Sequence, residues 1–82
     1  VWKVADAATG EVKATIETRS GAHNTVYGLD GKRVYLAGLK SPLLSVADAK
    51  TYKVVGQVGP FAAPVRPCTV NGAQTRCFVN VN

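Results

Sequence analysis

The sequence has no methionine, one histidine, one tryptophan and two cysteines in 82 residues. A single histidine excludes a multi-histidine metal site within one chain. Two cysteines fall short of the ligands that a tetrahedral zinc takes. Cys68 and Cys77 are too far apart for a Cys-x-x-Cys redox pair. Acidic residues are scarce, with 5 Asp plus Glu against 10 Lys plus Arg and a formal net charge of +5. A basic balance permits nucleic-acid or anionic-surface binding. Only Lys32 and Arg33 are adjacent, however, so a mildly basic solvated surface is expected and no specific nucleic-acid site. No apolar run approaches the length of a membrane-spanning helix, and none is expected. No charged-then-apolar leader precedes Val1, so no targeting segment is expected within these residues. Gly-x-Ser-x-Gly, a phosphate-cradling glycine loop and His-Glu-x-x-His are all missing, so no catalytic residue, metal or cofactor is assigned. Sustained helical periodicity is missing too.

What is present is a globular balance, 46% hydrophobic and 18% charged, which argues against disorder and for one domain over residues 1–82. The chain also carries an internal repeat. Val4-Ala5-Asp6-Ala7 recurs 42 positions on as Val46-Ala47-Asp48-Ala49. At the same offset Thr9 matches Thr51, Val12 matches Val54 and Ile16 matches Val58. Arg33-Val34-Tyr35-Leu36 matches Arg76-Cys77-Phe78-Val79 at an offset of 43. The units fall at about 1–42 and 43–82.

Each unit reads as four short strands. Trp2 to Ala5 is apolar and ends in the turn cluster Asp6 to Gly10. Val12, Ala14 and Ile16 alternate with Lys13, Thr15 and Glu17, a period of two. Thr25 to Tyr27 and Arg33 to Ala37 flank Asp30-Gly31, a hairpin-turn dipeptide. The second copy supplies Leu43 to Ala47, Val54 to Val58, Pro67 to Val70 and Thr75 to Val81. Val34 to Ala37 and Cys77 to Val79 are apolar on consecutive residues, the mark of a sheet covered on both faces. Four antiparallel strands per repeat of this length is the signature of a β-propeller blade. The expected fold is all-β, with two blades per chain. In blade order the strands run third, fourth, first, second, twice over. The terminal half-blades are therefore complementary.

The motifs carry a family resemblance. Val4-Ala5-Asp6-Ala7-Ala8-Thr9-Gly10-Glu11-Val12 and Asp30-Gly31-Lys32-Arg33-Val34-Tyr35-Leu36-Ala37-Gly38 resemble YVTN-type β-propeller repeats, as does Arg76-Cys77-Phe78-Val79-Asn80. The resemblance covers essentially the whole chain. It departs from the family at Asn24, where glycine is usual, and at Arg66, where His23 stands in the first copy. Members of the family are closed rings of blades, so the resemblance implies that two blades are a fragment of a larger propeller, completed either by further copies of this chain or by the rest of a longer one. Related propellers include quinone-dependent dehydrogenases whose cofactor contacts come from many blades. No such site is reproduced here, so no enzyme activity is expected.

The expected activity is self-assembly, in which copies complete each other's half-blades; three or four copies would give about six or eight blades. Val1, Val4, Val46, Cys77, Phe78, Val79 and Val81 are the expected contributors to that interface. The alternative is an anion- or ligand-binding module with His23 and Arg66 at the channel mouth, against a simpler role for His23 in capping loop carbonyls. If the last hairpin turns about Gly72-Ala73, Cys68 faces Cys77, close enough for a disulfide after adjustment. Two buried thiols are the other possibility. A disulfide would suit an exported protein, periplasmic or extracellular. Asp6 and Asp48 read as Asx turns rather than metal ligands. Trp2 is expected to pack between blades.

Overall fold

The computed structural model describes residues 1–73 and 75–81, with backbone only at positions 66–68. The described residues form eight β-strands and no helix. They are β1 (Trp2–Ala5), β2 (Val12–Ile16), β3 (Ala22–Tyr27), β4 (Arg33–Gly38), β5 (Leu44–Asp48), β6 (Val54–Val58), β7 (Val65–Val70) and β8 (Cys77–Val81). All pairings are antiparallel. The strands divide into a β1-β2 hairpin, a four-stranded β3-β4-β5-β6 sheet and a β7-β8 hairpin.

The hairpins cover opposite faces of the central sheet. Side chains alternate across a strand, so β4 sends Val34 and Leu36 to one face and Tyr35 and Ala37 to the other. On the first face Leu36 and Ala47 bury against Ile16, with Trp2 and Val4 of β1 packed around them. The second face holds Ala37, Leu44 and Val65, joined by Tyr35, Phe61, Cys77 and Val79. The consecutive apolar run of β4 follows from this double covering.

Pairing register repeats across the layers. Trp2 opposes Ile16, Lys3 opposes Thr15 and Val4 opposes Ala14. Forty-two positions on, Leu44 opposes Val58, Ser45 opposes Gln57 and Val46 opposes Gly56. Both pairs break register at the same place, between Val4 and Ala5 and between Val46 and Ala47. Likewise Thr25–Leu36, Val26–Tyr35 and Tyr27–Val34 correspond to Cys68–Val79, Thr69–Phe78 and Val70–Cys77, 43 positions on.

The turns explain how hydrogen bonding fixes these registers. Asp6 Oδ1 accepts from the backbone N–H groups of Ala8 and Thr9 at 2.9 and 3.0 Å. Asp48 Oδ1 accepts from Lys50 and Thr51 at 2.7 and 2.9 Å. Each is an Asx turn, which stabilises the reversal locally. Gly10 closes the first turn at φ 75°, and Tyr52 adopts φ 61° at the matching point of the second.

Two turns differ from expectation. The Asp30-Gly31 hairpin is longer than two residues: Gly28 N–H donates to the Arg33 carbonyl, and Gly31 has φ 71°. The last hairpin closes in the same way, Asn71 N–H donating to the Arg76 carbonyl at 3.1 Å, and a side chain reinforces it. Asn71 Oδ1 accepts from Thr75 and Arg76 N–H, both at 2.9 Å. This wider turn shifts the register by two, placing Cys77 opposite Val70 and the Cys68 backbone opposite Val79. The direct facing of Cys68 and Cys77 expected from a tighter turn is thereby corrected. Cys77 carries a free thiol, and the Cys68 side chain lies outside the described residues.

Candidate functional site

Two strands present an open hydrogen-bonding edge among the described residues that their internal counterparts do not. β5 is paired on both sides, by β4 and β6, whereas its counterpart β1 is paired by β2 alone. β4 is likewise paired on both sides, whereas its counterpart β8 is paired by β7 alone. An open edge is a row of unpaired N–H and C=O groups and a template for another strand.

Beside the β1 edge lies an apolar cavity of about 310 Å³. Its lining includes Trp2 and Val4 of β1, Thr25 and Tyr27 of β3, and Val34 and Leu36 of β4. Trp2 Nε1 donates to Thr25 Oγ1 at 2.9 Å, which ties the β1-β2 hairpin to the central sheet across the cavity lining. On β8, in the hairpin that packs on the opposite face of the central sheet, Phe78 is 58% exposed. Cys77 and Val79 on either side of it turn inward against the second apolar layer. Strand alternation thus leaves one large aromatic side chain pointing away from the chain's own core.

The other expected interface residues are distributed unevenly. Val1 and Val81 are exposed. Val4 is half-buried on β1, facing inward. Val46 lies in the middle of the central sheet, between Tyr35 and Gly56, and is not on an open edge. It is the internal counterpart of Val4. No match was found among protein-family models, curated proteins or solved structures.

His23 and Arg66 occupy equivalent backbone positions, each just after the first residue of its strand, where the pairing breaks register. His23 is exposed within β3. The Arg66 side chain lies outside the described residues. Among the described residues no group of three or more His, Cys, Asp or Glu side chains could hold a metal ion.

Asp6 and Asp48 serve the turns. The Thr9 N–H, then the Ala8 N–H, holds the Asp6 carboxyl below the ordinary value of 3.8. Lys13 Nζ stands 3.6 Å from its second oxygen. Thr51 and then Lys50 do the same for Asp48. A carboxyl whose pKa is lowered by folding contributes stability above its unfolded pKa and loses that contribution as pH falls through the folded value. Urea midpoints should therefore drop between about pH 5 and about pH 2. The variant combining Asp6→Asn and Asp48→Asn keeps the amide oxygen as acceptor but cannot titrate. Its midpoint should fall less over the same range, and an equal fall would refute the assignment.

The cavity itself was not predictable from composition or periodicity. A signal for it exists in the repeat: Tyr35, paired to Val46 on β5, is matched by Phe78 on β8, which among the described residues has no strand paired on that side.

Proposed function

We propose that the chain is a two-blade β-propeller unit whose activity is self-assembly. Copies join β8 to β1 through their open edges and close into a ring, and no enzymatic step is involved. Three or four copies would give about six or eight four-stranded blades. The observation that carries this reading is the two-four-two division of the strands, with each hairpin sharing its register with one half of the central sheet. The central sheet is thus a pattern for what the two hairpins can make together. Joining them would satisfy both edges, and ring closure is a route by which β proteins remove edges altogether. The likeness of the motifs to YVTN-type repeats agrees with this reading.

Absolute mass of the native particle, by light scattering or native mass spectrometry, tests it. The expected result is a discrete particle of three or four chains. Its unfolding midpoint should rise with protein concentration, because association stabilises the folded chain by mass action. A monodisperse monomer at high concentration would refute the reading.

A further inference from the structure

We propose that Phe78 of one copy seats in the apolar cavity beside β1 of a second copy, with β8 running antiparallel along β1 and Phe78 opposite Val4. The proposal rests on the self-assembly reading and specifies which surfaces meet and in what register.

The argument comes from a contact that the chain makes with itself. In the central sheet Arg33 opposes Asp48, Tyr35 opposes Val46 and Ala37 opposes Leu44. Carrying each partner to its counterpart sets Arg76 opposite Asp6, Phe78 opposite Val4 and Asn80 opposite Trp2. This register places a cation across from a carboxylate and an aromatic across from a β-branched residue, both favourable cross-strand pairs.

The faces agree as well as the edges. Tyr35 projects from the central sheet into the apolar layer that contains Cys77 and Val79 of the following hairpin. The counterparts of Cys77 and Val79 are Val34 and Leu36, which line the open cavity. Phe78, the counterpart of Tyr35, therefore has a defined apolar seat in a second copy, on the same residue positions. Trp2 and Val4 turn toward that cavity as Leu44 and Val46 turn toward the layer around Tyr35. The one exposed aromatic on β8 and the apolar cavity beside β1 are the two halves of one contact. Apolar anchors of this kind, fully desolvated on binding, carry most of an interface's energy.

The test replaces Phe78 with the photocrosslinking residue p-benzoylphenylalanine in a mixture of nitrogen-15-labelled and unlabelled chains. Illumination followed by mass spectrometry should give mixed-isotope crosslinks from position 78 to Val4, Val34 or Leu36. Crosslinks between copies to any other surface, in a particle of several chains, overturn this register and leave the assembly reading standing. A particle mass of one chain overturns both. A second measurement is independent of the crosslinker. Phe78→Lys should weaken assembly by roughly thirtyfold or more in apparent Kd. Phe78→Tyr, which copies position 35, should assemble normally. Since Phe78 is exposed in the single chain, both variants should keep the wild-type circular dichroism spectrum. Unchanged assembly of Phe78→Lys overturns the proposal.

Discussion

Leu36→Ala is expected to cost about 2–5 kcal/mol of folding stability, read as a lowered urea midpoint with little change in slope. Leu36 is 1% exposed and sits where β4 meets the β1-β2 hairpin, against Ile16 and Ala47. Truncation removes the transfer free energy of the lost methyl groups and leaves a cavity between two sheets. Neither sheet can close that gap alone, because Trp2 is tied to Thr25 by a hydrogen bond and Ala47 is held in the ladder. Native stability runs at about 0.05–0.15 kcal/mol per residue. The loss is therefore a large share of the whole for a chain of 82 residues. A cost below about 1 kcal/mol would mean that the hairpin does not pack on the sheet as described.

Gly38→Ala should be nearly as damaging, at about 3 kcal/mol, for the opposite reason. A Cβ at position 38 would fall on the carbonyl oxygen and hydroxyl of Ser20. The loop cannot retreat cheaply. Ser20 O accepts from Lys40 N–H, and Gly21 O from Leu39 N–H, both at 2.7 Å. Ser20 Oγ is also bonded to Thr18 Oγ1 at 2.5 Å. Moving the segment stretches or breaks these bonds at about 1 kcal/mol each. Gly56→Ala on β6 is the control. Nothing lies within 4 Å of a Cβ there, so that change should stay within about 0.5 kcal/mol or stabilise slightly. Equal midpoints for the two alanine variants would remove the argument from crowding.

Strand positions are largely legible in the sequence because short alternating or apolar runs lie between residues with strong turn chemistry. Asp6 and Asp48 mark the ends of their strands through hydrogen bonds that depend only on local sequence. β3 is less legible. It begins at Ala22, three residues before the β-branched run at Thr25, because its pairing with β4 continues through a register break beside His23. The Cys77 register is also illegible from turn dipeptides. Asn71 closes a wider loop with both its backbone N–H and its side chain, and a two-residue change in turn span moves every partner on β7. Of the candidate interface, Phe78 and Val4 can be picked from the repeat. The outward aim of Phe78 and the inward aim of Cys77 and Val79 follow only once the hairpin's buried face is known. Val46 shows the converse limit, since repeat equivalence alone does not say which copy of a position is already partnered.

The change of offset from 42 to 43 has an address. Pairing is in step through Ile16 and Val58 and again from Ala22 and Val65. The extra residue therefore lies in the connection between them, 17–21 in one case and 59–64 in the other. The shorter connection brings Ser20 down onto Gly38, while Val81 fills the matching place beside the longer one. Connection length and side-chain size vary together. A chimera carrying the 59–64 segment in place of 17–21 should accept valine at position 38, whereas the same change in the natural chain should be strongly destabilising, because its Cβ would fall on Ser20. The joints between layers, rather than the strands, are where this molecule can be lengthened.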